Sequence, residues 1–213
     1  MHEICTLAPL TLSGRGHYSS TGIGTSGATA GHVPFPWRLE LAALPHQHIQ
    51  SLIQCPAPLV TGYRDLNAQL QPNGMDLTLE AVSEFLGAGR LGLTPEERRL
   101  PDAKELGFDD QGFIHLAPGP YLITLNETIH LPTNLMALAK PRSSLLRSGV
   151  TLHSAVWDAG YHGRSQALIT VYNSYGFTVA RNARVLQLVF VSLASATASA
   201  YAGRYQGENL SPA

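Results

Sequence analysis

Apolar and polar residues alternate over much of the chain in a pattern that predicts β-strands. In GMDLTLEAV, the apolar residues Met75, Leu77 and Leu79 alternate with polar ones. From residue 113 onward, turn residues separate short apolar runs, which are FIHLA, YLITL, TIHL, LMALA, TLHSAVWD, SQALITVY, FTVA and RVLQLVFV. Short strands at close spacing with turn signals between them favour an all-β barrel or sandwich.

Helical periodicity is confined to short stretches. In HQHIQSLIQ, the residues Ile49, Leu52 and Ile53 fall on one helical face, which predicts a short amphipathic helix. Residues 87–112 are interpreted as an insertion or long loop, and TPEE within them has the pattern of a capped helix start. We therefore expect a mainly β fold with a few short helices.

Residue usage divides the chain into three parts. Residues 1–36 differ from the rest, and Ser13–Gly31 consists mostly of Gly, Ser, Thr and Ala. Such a stretch buries too little apolar surface to offset the entropy of ordering it, so a mobile N-terminal extension is predicted. The β domain is expected over residues 37–200, with a C-terminal tail over 201–213.

Charge and cysteine content exclude several classes of function. The net charge of −1 does not favour electrostatic capture of nucleic acid or of an anionic membrane. Cys5 and Cys55 form no CxxC pair, which argues against a cysteine-based zinc site or a disulfide framework. No apolar run approaches the roughly 18 residues of a membrane span, and signal-peptide features are missing, so a cytoplasmic location is expected. Charged residues make up only 14% of the chain, which favours oligomerisation.

The segment KPRSSLLR offers a candidate phosphate site where an apolar strand ends. Arg142 and Arg147 supply guanidinium groups, and Ser143 and Ser144 can begin a helical turn with free N–H groups and hydroxyls. Arginine binds phosphate oxygens through two parallel hydrogen bonds, and helix starts offer N–H donors. The alternative, a capped surface turn with solvated arginines, is equally well supported by the pattern alone.

The segment AVWDAGYHG places Asp158 at the expected tip of a hairpin. The pattern favours a structural role, because an Asp before a turn glycine commonly stabilises the turn through its own backbone. In the functional alternative, Asp158 is a general base that deprotonates an attacking water, and Tyr161 places its ring against a sugar.

Two further segments carry polar side chains that need an explanation. Gln187 lies inside the apolar strand RVLQLVFV and is either a hydrogen-bonded core amide or a pocket residue. The run YAGRYQGE at Tyr201–Glu208 is either a solvated tail or a segment that closes over a nucleotide. His153 is equally compatible with a site residue and with a core histidine.

The order and spacing of these segments resemble one known superfamily. PRSSLLRSGVTLHSAVWDAGYHGRSQALITVYN resembles the central block shared by dUTP diphosphatases and dCTP deaminases. QLQPNGMDLTL and NARVLQLVF are similar to its first and fourth motifs. YAGRYQGEN is similar to the tail of the dCTP-deaminase-like, archaeal-type dUTP diphosphatases. The likeness extends from about His46 to Asn209.

The resemblance implies both a fold and an assembly. The expected subunit is a distorted β-barrel or jelly roll of the dUTPase-like (β-clip) type. It implies a homotrimer with nucleotide sites at the subunit interfaces. The substrate implied is dUTP, with Mg²⁺ held mainly by the substrate phosphates and without a dedicated protein metal site.

The resemblance also implies roles for individual residues. Arg142, Ser143 and Arg147 would hold the triphosphate, Asp158 would activate water, and Tyr161 would stack under the deoxyribose. The backbone at residues 153–155 would bind the pyrimidine edge, and Asp76 would support the metal-bound phosphates. The nucleotide-binding residues implied are Arg142, Ser143, Ser144, Arg147, His153, Ser154, Ala155, Tyr161, Gln187, Arg204, Tyr205 and Gln206.

One position separates the two activities of the superfamily. Deamination depends on a glutamate in the strand after the hairpin, and that position aligns with Thr170 in this chain. Thr lacks a group that shuttles protons to a ring amine at neutral pH. We therefore expect hydrolysis of dUTP to dUMP and pyrophosphate. The alternatives are a dCTP deaminase or bifunctional enzyme, and a non-catalytic nucleotide-binding regulator.

Overall fold

The computed structural model describes residues 42–210. The predicted N-terminal extension and the last three residues of the predicted tail lie outside this range. The helical elements are α1 (His46–Ile53), α2 (Leu66–Gln69), a 3₁₀ turn (Pro95–Glu97) and α3 (Ser143–Arg147). The strands are β1 (Val60–Thr61), β2 (Leu70–Gln71), β3 (Gly74–Phe85), β4 (Ala103–Leu106), β5 (Phe113–Leu116), β6 (Gly119–His130), β7 (Leu135–Pro141), β8 (Val150–His153), β9 (His162–Val171), β10 (Phe177–Ala180) and β11 (Arg184–Ser192).

Nine strands form one antiparallel sheet that nearly closes into a barrel. The main order is β7-β11-β3-β6-β9-β8, with β1 also on β6 and both β2 and β4 on β3. The two ends of this order meet because Trp157, just after β8, forms a two-way backbone bridge with Ala137 of β7. β5 and β10 form a separate two-stranded sheet. The predicted mainly β, barrel-like fold is confirmed.

Alternating apolar residues build the core inside this sheet. Buried positions alternate with more accessible ones along β9, as expected for a strand with one face towards the core. Full burial of each large aliphatic or aromatic side chain contributes about 1.5–3 kcal/mol. The predicted amphipathic helix is confirmed as α1, whose buried residues are Ile49, Leu52 and Ile53.

The structure departs from the sequence-based strands in three places. In TLHSAVWD, predicted as a strand that ends in a hairpin at Asp158, β8 ends at His153 and Trp157 bridges to β7. YLITL and TIHL belong to one strand, β6, which passes a register shift between Thr124 and Thr128. The polar pair Asn126-Glu127 looked like a break, yet Glu127 is fully buried because neighbouring side chains satisfy its carboxylate. Residues 87–112, interpreted as a loop, also contain β4, whose exposed residues carry no apolar alternation.

No helix within residues 42–210 is long and apolar enough to cross a membrane.

Candidate active site

The junction between β7 and α3 presents the predicted phosphate-binding residues at the surface. Arg142 is the extended residue before α3, and its backbone N–H donates to the Val185 carbonyl at 3.1 Å. Ser143, Ser144 and Arg147 are exposed on the short helix. Neither serine hydroxyl has a hydrogen-bond partner in the described part of the chain. This surface therefore offers hydroxyl and guanidinium donors to a ligand.

A buried carboxylate orients Arg142. The Oδ2 atom of Asp76 lies 2.9 Å from Nε of Arg142 and 3.3 Å from Nη1 of Arg184, and Asp76 is only 2% exposed. Burial raises the pKa of Asp76 above its ordinary value, although both arginines act to lower it. The ion pair uses the Nε atom of Arg142.

Strand pairing brings Gln187 to the same place. In β11, Gln187 pairs with Asp76 of β3 on one side and with Lys140 of β7 on the other. Its side chain packs over Gly74, where an added Cβ would lie 3.0 Å from Nε2 of Gln187 and 2.4 Å from the Leu188 carbonyl oxygen. The sheet order thus assembles Asp76, Arg142 and Gln187 from three distant motifs.

A second group of predicted residues surrounds a separate cavity of about 300 Å³ after β8. The lining residues are Ala155, Val156, Trp157, Asp158, Tyr161, Ser165, Gln166, Tyr201, Tyr205 and Glu208. The Asp158 side chain is exposed, and its carboxylate has no partner among residues 42–210. Asp158 accepts at its backbone carbonyl from the Tyr161 N–H at 3.0 Å, which closes the turn. Its carboxylate is therefore available to hold a water at the cavity.

Tyr161 forms the inner wall of this cavity. It is 5% exposed, and its hydroxyl lies 2.9 Å from Oγ of Ser165 and 2.8 Å from Oε1 of Glu208. Burial raises its pKa above the ordinary value, so the phenol stays protonated. Trp157 donates from Nε1 to the same Ser165 oxygen at 2.6 Å.

Sequence reasoning did not single out Trp157, Ser165 or Glu208 as site residues. The available signal was the position of Ser165, which occupies an inward-facing place in the alternating strand β9. A buried hydroxyl there requires partners, and an indole and a phenol supply them.

The C-terminal tail lies against the turn that holds Asp158. Tyr201 donates its backbone N–H to the Ala159 carbonyl at 2.8 Å. The Gln206 side chain donates to the Gly160 carbonyl and accepts from the His162 N–H, both at 3.1 Å. Tyr205 lines the cavity, and Arg204 is exposed. Within a single chain, these tail residues thus accompany Asp158.

The two groups of site residues are separated along β7. Trp157 is bridged to Ala137, while Arg142 lies five residues further along the strand. At roughly 3.3 Å per residue, this spacing corresponds to about 17 Å. His153, the last residue of β8, and the following Ser154 and Ala155 are exposed. We call the residues at the β7–α3 junction the Arg142 group; they are Arg142, Ser143, Ser144, Arg147 and Gln187. We call the residues that line the cavity after β8 the Asp158 group.

Residues 43–193 match the family described as dCTP deaminase-like. The chain belongs to this family. It is 46% identical over 169 residues to the probable deoxyuridine 5′-triphosphate nucleotidohydrolase of Methanosarcina acetivorans, covering 79% of this chain and 99% of the relative. The protein of that name in Archaeoglobus fulgidus is 45% identical over 170 residues, which cover 80% of this chain and 99% of the relative.

A solved structure of the family has the same fold. It is the 2′-deoxycytidine 5′-triphosphate deaminase of Agrobacterium tumefaciens, with a TM-score of 0.55 and 22% sequence identity. The match covers 71% of this chain and 48% of the deaminase, so this chain spans about half of that protein's length.

Thr170, which the sequence resemblance aligns with the deaminase glutamate, lies inside the sheet. Thr170 is half-buried in β9 and pairs with Pro120 of β6 and Thr151 of β8. Its hydroxyl and these neighbours provide no carboxylate. Across residues 42–210, no three His, Cys, Asp or Glu side chains come together as a metal site.

Proposed function

We propose that this chain hydrolyses dUTP to dUMP and pyrophosphate. The observation that carries the proposal is the exposed, unpaired carboxylate of Asp158 at the rim of a cavity walled by Tyr161. The names of the archaeal relatives, which are 45–46% identical over nearly their whole length, support dUTP as the substrate.

Asp158 acts as the general base in this proposal. It takes a proton from a water, whose oxygen then forms a bond to the α-phosphorus. The bond from that phosphorus to the bridging oxygen breaks, and pyrophosphate leaves with the electron pair. A carboxylate suits this task when it is ionised at working pH and within hydrogen-bond reach of the water.

The Arg142 group binds the triphosphate. Arg142, Arg147 and the hydroxyls of Ser143 and Ser144 neutralise and orient the phosphate oxygens, with Gln187 beside them. Asp76 acts indirectly, because its carboxylate already pairs with Arg142 and Arg184. It holds the Arg142 side chain in the direction of the phosphates.

Mg²⁺ is proposed as the cofactor, bound mainly through substrate phosphates. The residues present fit this arrangement, because Mg²⁺ keeps several waters and needs few protein ligands. Asp76 is buried and ion-paired, which makes it a poor direct ligand. When bound, the ion neutralises charge on the transferring phosphates.

The complete site is proposed to form between subunits of a homotrimer. About 17 Å of strand separates Ala137, which holds the Asp158 group, from Arg142. A water on Asp158 must attack a phosphorus that the Arg142 group holds, so a second copy has to bring the two groups together. The exposed apolar residues Leu138 of β7 and Leu146 of α3 fit burial in such a contact.

The remaining predicted residues serve nucleoside recognition. The exposed backbone of His153–Ala155 offers donors and acceptors to the edge of the pyrimidine. The ring of Tyr161 contacts the deoxyribose and leaves no room for a 2′-hydroxyl. Arg204, Tyr205 and Gln206 in the tail close over the nucleotide.

A turnover assay with dUTP, dCTP and Mg²⁺ tests the proposed reaction. We expect pyrophosphate release from dUTP and no ammonia from dCTP, since Thr170 replaces the proton-shuttling glutamate. Ammonia from dCTP would establish a deaminase instead. Tight binding of dUTP without turnover would indicate a non-catalytic regulator.

A further inference from the structure

Four side chains form a continuous hydrogen-bond chain around Asp158. It passes from Nε1 of Trp157 to Oγ of Ser165 (2.6 Å), then to the Tyr161 hydroxyl (2.9 Å) and to Oε1 of Glu208 (2.8 Å). Trp157, Tyr161 and Ser165 are each no more than 5% exposed. Water therefore has little access to the bonds that Ser165 makes with Trp157 and Tyr161, and breaking either one leaves a buried polar group unpaired.

The donors and acceptors of this hydrogen-bond chain allow only one direction of proton donation along it. The indole N–H only donates, so Ser165 accepts from Trp157. Tyr161 has one proton and gives it to Glu208, which leaves its oxygen free to accept the Ser165 proton. With Glu208 ionised, each hydroxyl donates once and accepts once. The chain therefore starts at the indole and ends at the tail carboxylate.

The hydrogen-bond chain holds both sides of the turn that carries Asp158. Trp157 immediately precedes Asp158, and its backbone is bridged to Ala137. Tyr161 follows Asp158 by three residues and closes the turn through its N–H. Both side chains meet at the Ser165 hydroxyl, so that one oxygen fixes the two flanks of the turn relative to β9.

We propose that Ser165 and Glu208 are positioning residues that set the place of the Asp158 carboxylate and couple it to the docked tail. The inference rests on the proposed hydrolysis of dUTP. Neither residue touches the reacting atoms. Glu208 acts through Tyr161, and Ser165 acts through Tyr161 and Trp157.

Kinetics of Glu208 variants test the proposal. Glu208→Ala removes the terminal acceptor, and a misplaced base lowers kcat for dUTP by at least about tenfold with a smaller change in KM. Glu208→Gln retains an acceptor oxygen and recovers most of kcat. The tail stays docked in both variants through Tyr201, Gln206 and Gly207, which use other bonds.

Matched controls separate this effect from a general loss of stability. Glu105→Gln and Ser195→Ala change exposed residues outside the cavity and leave kcat unchanged. Ser165→Ala lowers kcat as Glu208→Ala does. If Ser165→Ala fails to fold, the Glu208 pair still decides the question. Wild-type kcat in Glu208→Ala, or the same loss in Glu208→Gln as in Glu208→Ala, would overturn the proposal.

The indole resonances provide a readout that does not depend on turnover. The chain has two tryptophans, so the Nε1–H signal of Trp37 is an internal reference for that of Trp157. Glu208→Ala should shift the Trp157 signal in full-length protein. The same substitution in a Tyr161→Phe background should not shift that signal, because the hydrogen-bond chain is already broken at Tyr161. An unmoved signal, or an equal shift in both backgrounds, would contradict the coupling.

Turnover by the wild type and by the variants distinguishes failure of the positioning role from failure of the proposed function. If the wild-type protein shows no dUTP turnover, the proposed function fails, and the positioning role of Ser165 and Glu208 fails with it. If the wild type is active and all variants have its kcat, only the positioning role fails.

Discussion

At the scale of single residues, the surroundings of each carboxylate decide what it can do. Asp76 is buried and paired with two arginines. Glu208 is half-buried and accepts from Tyr161. Asp158 is exposed and unpaired among residues 42–210. Of these three groups, only Asp158 is free to take a proton from water.

Asp158→Asn is expected to bind dUTP with nearly unchanged affinity and to lose hydrolysis by at least about a thousandfold, because an amide does not act as a base. Calorimetric binding and pyrophosphate release measure the two effects. Asp110→Asn, at another exposed turn aspartate, should leave both unchanged. Retained hydrolysis in Asp158→Asn would remove Asp158 as the base.

The residues predicted from sequence were those that lie in contiguous motifs. Arg142, Asp158 and Gln187 each stand out against a local pattern. Ser165 and Glu208 do not, since both act through Tyr161, and the contact between Tyr161 and Glu208 joins positions 47 residues apart. No local pattern encodes the Tyr161 hydroxyl that joins them.

At the scale of elements, buried polar contacts connect the strands that carry the Arg142 group. Glu127 of β6 accepts from Nε2 of Gln69 at 2.7 Å, and from the backbone and hydroxyl of Thr78 at 2.9 and 2.6 Å. Gln69 also donates to the carbonyl of Asp76. This network fixes α2, β3 and β6 next to the carboxylate that orients Arg142.

Glu127→Ala should therefore destabilise the fold more than an exposed substitution does. It leaves several buried donors without an acceptor, and the free energy of unfolding should fall by on the order of 3 kcal/mol. Glu84→Ala removes an exposed ion pair to Lys104 and should cost about 1 kcal/mol or less. Urea denaturation measures both. Equal losses would show that the network is not stabilising.

A stacked histidine pair at the end of β6 and β9 predicts a pH dependence of stability. The rings of His130 and His162 lie 4.8 Å apart. Burial, and secondarily His130, lower the pKa of His162 below 6.5. Below about pH 6.5 His162 binds more protons in the unfolded chain than in the folded one, so its contribution to the free energy of unfolding falls as the pH falls.

Replacing His162 should remove part of this dependence. His162→Gln keeps the backbone bonds to Gln206 and Gly207 but does not titrate. Urea denaturation between pH 5 and 8 should give a shallower slope for this variant than for wild type, and an unchanged slope for the exposed His46→Gln. An unchanged slope in His162→Gln would exclude His162 as the cause.

Element prediction succeeded where apolar periodicity was complete and failed where polar residues are buried. The helix α1 and the strand β10 were predicted closely from sequence. β6 was divided in two at Asn126-Glu127, because a buried carboxylate looks like a turn until its partners in β3 and α2 are known. The spacing of the motifs along the sequence did not predict the distance in space between Arg142 and Asp158.

At the scale of the whole molecule, we propose that hydrolysis needs Asp158 of one subunit and Arg142 of another. The nearly closed sheet holds the two groups apart, with Arg142 lying about 17 Å along β7 from the Ala137 bridge to Trp157. A closed symmetric assembly of identical chains repeats the same contact at each interface. Each interface would then contain one complete site.

Complementation between two inactive variants tests whether each site is shared between subunits. Asp158→Asn and Arg142→Ala are each expected to hydrolyse dUTP very slowly, and co-expression at equal levels yields mixed oligomers. In a shared site, Asp158 and Arg142 come from different subunits. With random assembly, about one site in four combines an intact Asp158 with an intact Arg142, so about one quarter of wild-type activity should return. If the mixed oligomers form and remain as inactive as the separate variants, the shared site is wrong.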